Sequence, residues 1–183
     1  MRLRRPVLSC AVMENLCETC RTPDVSTACQ LCEKQLCEDC VLAPPNGTFS
    51  LQEKVDPELV HSVYCRFCYD EKVEPEVLRY DENKAKAENV YIFFTTQRKE
   101  IPLIKHSKLT VKVQNCADRD ETILRLAFIA AEKGFNAVID TEVVYAKKRD
   151  HAYQTTAWSG HGSPAAVDEE KLDRQVKRNA MYR

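Results

Sequence analysis

The chain has 183 residues, ten cysteines and a formal net charge of −1, enough for one medium domain or two small ones. The near-neutral balance gives no overall basic bias toward nucleic acid, and no run of 18 apolar residues is present to cross a bilayer as a helix. Nearly all the cysteines crowd into the first 68 residues, so the two ends must be stabilised by different means.

Residues 1–16 start basic but lack the apolar stretch of an export signal, so the expected compartment is a reducing cytoplasm. Val7-Leu8-Ser9-Cys10 has only a faint look of a lipoprotein processing site. Met13 is an alternative start to Met1.

Four Cys-x2-Cys pairs follow: Cys17/Cys20, Cys29/Cys32, Cys37/Cys40 and Cys65/Cys68. A two-residue gap lets one tight turn present two sulfurs to a single ion, and zinc takes four thiolates in a closed tetrahedron. Eight such ligands predict two structural Zn²⁺ ions within a module spanning residues 14–70. Disulfides are the rival reading, and the absent export signal argues against them. Two pairings are open. Neighbouring pairs in sequence can share an ion. In a cross-brace, Cys17, Cys20, Cys37 and Cys40 bind one zinc while Cys29, Cys32, Cys65 and Cys68 bind the other. The four-residue spacer between Cys32 and Cys37 forces the second and third pairs together. The cross-brace is favoured because interlocked sites stabilise a core too small to stand alone. From Cys17 to Cys68 the charged side chains sum to −4, and eight thiolates with two zincs add another −4. This acidity argues against nucleic acid and anionic lipid as partners.

Residues 71–89 are charged and rich in helix formers, a linker that is a candidate solvated helix. The second domain, 90–167, opens with the β-branched and aromatic run 90–96, a strand, and continues with the alternating strand 109–114. The intervening loop holds Pro102 and His106. Asp118 and Glu121 form a capping-box signature before a helix over 121–133 that stops at Gly134. Strands are predicted at 137–147 and 152–158, joined by a turn at residues 147–150. His161, between Gly160 and Gly162, and His151 read as loop residues, and Cys116 as a small buried apolar group. Trp158 reads as a core or interface anchor and Asn136 as a turn former. Residues 168–183 are a polar helix or tail. The fold class is α+β: a double-zinc finger, then a small β-β-α-β-β domain with a largely antiparallel sheet.

The stretch 28–40, ACQLCEKQLCEDC, and the closing YCRFCYDE of 64–71 resemble a FYVE-type zinc finger, with the related PHD finger close in spacing. The resemblance implies a cross-brace fold. The lipid-binding activity of FYVE domains rests on a basic cluster around the third cysteine and an upstream Trp. Here Ala28 and Gln30 flank Cys29, and the single Trp is Trp158, so phosphoinositide binding is disfavoured. A RING-like ubiquitin-ligase role is disfavoured too, because no His stands near the second pair.

Residues 126–147 followed by 153–162 are similar to the small bacterial YbjQ-like family, which carries a heavy-metal-binding label. That resemblance implies an α+β fold and ring-like oligomers. Its metal label is not supported by Cys116, His106, His151 and His161, which show no ligand spacing.

No nucleophile–base pair, phosphate loop or carboxylate cluster is recognisable, so the expectation is a non-enzyme. The reading is a cytoplasmic protein-interaction or scaffolding module: an acidic finger that binds a protein partner, and a second domain that self-assembles. A metal- or redox-responsive sensor acting through the thiolates is the alternative.

Overall fold

The computed structural model describes residues 16–97, 100–150 and 153–181. The readings at Cys10, Met13 and His151 lie outside the described residues. Two compact units are present. One comprises residues 16–46 with Asp56–Glu76, and the other Gly47–Val55 with the chain from Val77 onward. The boundary between Glu76 and Val77 falls inside a helix.

The first unit has little regular structure. Strands β1 (Thr27–Ala28) and β2 (Gln35–Leu36) pair antiparallel, Thr27 opposite Leu36. One-turn 3-10 helices lie at Glu38–Cys40 and Pro57–Leu59, the second capped by the Asp56 carboxylate accepting from the Glu58 N–H. A short helix α1 (Arg66–Cys68) runs into a π-helical turn at Tyr69–Val73. The buried cluster is Cys17, Cys29, Leu36, Cys37, Cys65 and Cys68. Five of those six residues are cysteines, so the apolar effect alone cannot hold this unit together. Tyr64 is fully buried beside it; its hydroxyl donates to the Glu58 carbonyl and accepts from the His61 N–H.

In the second unit, the charged stretch predicted as a solvated helix is helix α2 (Glu74–Ala87) from Val77 on. It is not fully solvated. Tyr80 is 3% exposed, its ring packed edge-on against Phe49 and tilted against Phe128. Phe49 belongs to the Gly47–Val55 segment, which in sequence separates the third and fourth cysteine pairs.

The sheet has five strands among the described residues: β3 (Tyr91–Phe94), β4 (Leu103–His106), β5 (Val111–Cys116), β6 (Ala137–Asp150) and β7 (Tyr153–Val167). Its order is β3-β6-β7-β4, with β5 also on β7. β3 runs parallel to β6 and the other pairings are antiparallel. The element order is therefore β-β-β-α-β-β with a closing helix, which corrects β-β-α-β-β. His106 belongs to the additional strand β4 rather than to a loop. All four β4 residues are exposed, so no buried face marked it in the sequence.

Two more expectations change. The turn at residues 147–150 is strand, paired from Lys147 opposite Thr156 to Asp150 opposite Tyr153. β7 continues through Gly160, His161, Gly162 and Pro164 to Val167, so His161 is a strand residue between Lys112 and Glu142. Pro164 is tolerated because its missing N–H falls in the gap between His106, the end of β4 opposite Ala165, and Val111, the start of β5 opposite Gly162.

Helix α3 (Arg119–Glu132) starts two residues before its predicted start. The Asp118 carboxylate accepts from the Glu121 N–H at 2.7 Å, and the Glu121 carboxylate accepts from the Ala117 N–H. Gly134, at φ 74, ends it as predicted. One face of the sheet packs Val111, Val113, Cys116 and Trp158 on Leu126 and Ile129 of α3. Alternate residues Ala137, Ile139, Ala165 and Val167 gather Tyr91, Phe93 and Leu172 of helix α4 (Glu169–Met181). Asn136 ties that helix to the sheet: its amide nitrogen donates to the Val167 carbonyl and Glu169, and its oxygen accepts from the Val167 N–H.

Candidate metal centres

Each cysteine pair is built by local backbone chemistry, and the four pairs come in two kinds. The first two are knuckles. The Arg21 N–H donates to the Cys17 carbonyl at 2.9 Å, and the Glu33 N–H to the Cys29 carbonyl at 2.8 Å. Both Arg21 and Glu33 sit at φ 61, the left-handed turn that lets the chain fold back beneath the sulfurs. The other two pairs are helical turns. Cys37 precedes the 3-10 turn that contains Cys40, and Cys65 caps α1, its sulfur accepting from the Cys68 N–H at 3.4 Å.

The sulfurs of Cys17, Cys20, Cys37 and Cys40 lie within 4.8 Å of one another, and so do those of Cys29, Cys32, Cys65 and Cys68. Each cluster thus combines one knuckle with one helical turn. The hairpin β1–β2 joins them: Cys29 follows β1 into one cluster and Cys37 follows β2 into the other. This arrangement fits a cross-brace. Four thiolates about 2.3 Å from one zinc would be about 3.8 Å apart. The Cys20 and Cys37 sulfurs, 3.5 Å apart, and those of Cys32 and Cys65, 3.6 Å apart, suit that size. The donor set and spacing fit a structural dication, and four protein ligands leave no open position for a substrate.

The thiols differ electrostatically. Amides of Cys20 and Cys37 bring the Cys17 thiol down to about 6. Burial pushes the Cys29 thiol up, but amides of Cys65, Cys32 and Leu31 outweigh it and leave it at about 6. The Thr22 hydroxyl, 3.1 Å from its sulfur, lowers Cys20. In the opposite direction, the neighbouring Cys37 and Cys20 thiols raise Cys40 to about 12, and burial raises Cys32 and Cys68. Without a cation, each cluster holds some ready thiolates and others that resist ionising beside them. A dication removes that conflict.

Acid should therefore empty the sites. Cys17 and Cys29 lie below their ordinary value of 9.0, so their stabilising contribution is present above that value and lost as pH falls through about 6. Bound metal competes with protons for the same thiolates, so lowering the pH releases it. A colorimetric chelator titration from neutral to acid pH checks this; complete release above neutrality would contradict it.

The left-handed residues give a second expectation. A side chain at positive φ costs roughly 1 kcal/mol relative to glycine, partly returned through the unfolded chain. Glu33→Gly should leave metal content unchanged and shift the chelator midpoint upward, by up to roughly 1 kcal/mol in stability.

Among the described residues, Cys116, His161 and His106 do not assemble into a metal site. Cys116 is 1% exposed and packs in the α3 core. His161 lies 3.6 Å from Glu142 on the sheet, and His106 stands on β4. Sequence reasoning missed the two left-handed turns; each follows directly after the second cysteine of its pair, and that repeated position was the available signal.

No protein-family model, curated protein or solved structure matches the chain.

Proposed function

We propose that this chain is a zinc-binding, non-catalytic interaction protein. Its FYVE-like cross-brace finger engages a protein partner, and its α+β unit assembles copies of the chain. The observation that carries the reading is the pair of interlocked four-sulfur clusters, whose closed ligand sets suit structural metal rather than catalysis.

The finger is acidic by sequence, and it exposes two large apolar side chains, Val60 at 61% and Phe67 at 63%. Apolar anchors within an acidic surround suit a protein segment with basic flanks better than a nucleic acid or an anionic membrane. The missing basic cluster around Cys29 weighs against a phosphoinositide headgroup for the same electrostatic reason. Among the described residues no helix is long and apolar enough to cross a membrane. A reducing cytoplasm suits the unpaired thiols. The YbjQ-like resemblance of the second unit supports self-assembly, which would multiply the finger's partner contacts.

A sensor reading has one observation in its favour: Cys20 and Cys32, one in each cluster, are exposed to oxidant. Native mass spectrometry of the full-length protein tests the main reading by reporting metal count and subunit number together. Two zincs per chain and a multiple of the chain mass are expected. Intact disulfides with no metal would overturn it. Zinc loss at mild peroxide dose, coupled to a change in assembly, would favour the sensor.

A further inference from the structure

Of the chain's asparagines, Asn46 alone is followed by glycine. The pair opens a turn that runs over residues 46–51, and both residues are exposed. The Ser50 N–H donates to the Gly47 carbonyl at 3.2 Å and closes the turn without using the Gly47 N–H. Among the described residues, neither the Gly47 N–H nor the Asn46 side-chain amide has a hydrogen-bond partner. Gly47 sits at φ 84, and a Cβ built on it would meet nothing within 4 Å, so the space beside the pair is open. Other asparagines are held differently. Asn136 commits its amide to Val167 and Glu169, and Asn89 donates to the Ala85 carbonyl. Both are followed by a residue that carries a β-carbon.

These differences bear on one reaction. Asparagine is chemically labile because its amide carbon lies within reach of the next residue's backbone nitrogen. Attack closes a five-membered ring. Glycine favours the closure, since no side chain screens its nitrogen and its backbone turns freely. A backbone N–H locked into a ladder resists it; the Gly47 N–H is not locked.

We propose that the Asn46–Gly47 bond is a site of spontaneous covalent modification, at which Asn46 becomes a mixture of aspartyl and isoaspartyl residues with water as co-reactant. The Gly47 nitrogen loses its proton to base and attacks Asn46 Cγ. The N–Cγ bond forms, the Cγ–Nδ2 bond breaks, and the nitrogen leaves as ammonia once it has taken up that proton. Water then opens the cyclic imide. Cleavage of the N–Cγ bond gives aspartate on the original main chain. Cleavage of the bond between the Gly47 nitrogen and the Asn46 carbonyl carbon gives isoaspartate, with the main chain rerouted through Cβ and Cγ. One water is consumed, one ammonia is released, and no electrons are transferred. Either product adds a negative charge to a unit whose sequence is already acidic. The isoaspartyl form also lengthens the main chain by a methylene shortly before Phe49, whose ring packs on Tyr80.

The test ages the full-length, metal-loaded protein in mildly alkaline buffer and follows tryptic peptide 35–54, in which Asn46 is the sole asparagine, by mass spectrometry. Both products are expected, each carrying one oxygen from isotopically heavy water, at a rate that rises with pH. That rate should lie within roughly tenfold of the rate in the free synthetic peptide, because the fold leaves the bond open. Gly47→Ala should slow the change roughly tenfold or more. Asn46→Gln breaks no side-chain hydrogen bond among the described residues and should abolish it, because its ring would need a sixth member. A folded protein that reacts more slowly than the tenfold bound overturns the proposal, since the fold would then protect the bond. Aspartate without isoaspartate, or a rate unchanged in Gly47→Ala, overturns the cyclic route.

Discussion

Cys29→Ala is expected to empty both metal clusters, not one. Its sulfur belongs with Cys32, Cys65 and Cys68, and the residue directly follows β1, whose partner strand leads into Cys37 of the other cluster. Among the buried residues of that cluster only Leu36 is not a cysteine, and the partly buried Val25, Leu31, Val41 and Val63 around it make too small an apolar core to take over. Structural zinc in small domains contributes roughly 10 kcal/mol or more of apparent folding free energy, far above what so small an apolar core supplies. Elemental analysis should therefore find fewer than one zinc per chain. Amide exchange should show residues 16–46 and 56–76 unprotected, while the strands of the second unit stay protected. Independent sites that shared neighbouring cysteine pairs would instead lose one zinc and keep the other.

Gly160→Ala and Gly162→Ala should each destabilise the second unit by roughly 1–3 kcal/mol through overpacking. A Cβ at Gly160 would lie 2.7 Å from Thr122 Cγ2 and 3.3 Å from the Glu142 carbonyl oxygen; one at Gly162 would lie 2.5 Å from Val138 Cγ1. Thr122 and Val138 are both fully buried and cannot swing aside. Thermal unfolding should shift downward by several degrees, roughly 4 °C per kcal/mol for a unit of this size. The collision names its own rescue. Thr122→Ser removes the offending methyl and keeps a hydroxyl able to donate to the Asp118 carbonyl, a bond now 2.7 Å long. Gly160→Ala combined with Thr122→Ser should recover part of the loss. Without such recovery, the glycine is required for a reason other than this contact.

The same two glycines show where sequence reasoning stopped. Gly-His-Gly-Ser-Pro reads as a loop by local rules, because glycine and proline are the strongest breakers. What keeps it in a strand is tertiary: α3 lies so close to β7 that only glycine fits at residue 160, and Pro164 meets a gap between two neighbouring strands. β4 was invisible for a related reason, since it exists only because β7 is long enough to pair with it. By contrast, Cys-x2-Cys, the Asp118–Glu121 cap and Gly134 act within a few residues of chain, and each was legible in the sequence itself. The bulges at Asn115 and Asp140, both at positive φ on strands flanking β7, had no sequence signal beyond two residue types that tolerate that backbone.

The Gly47–Val55 segment, with Phe49 against Tyr80, is carried on a chain loop whose two ends are Cys40 and Cys65. Its seat is nonetheless built within the second unit, by the Phe49, Tyr80 and Phe128 rings, and it carries none of the eight cluster cysteines. Cutting residues 47–55 out of the chain would therefore strip the α+β unit of an aromatic partner while leaving every metal ligand in place.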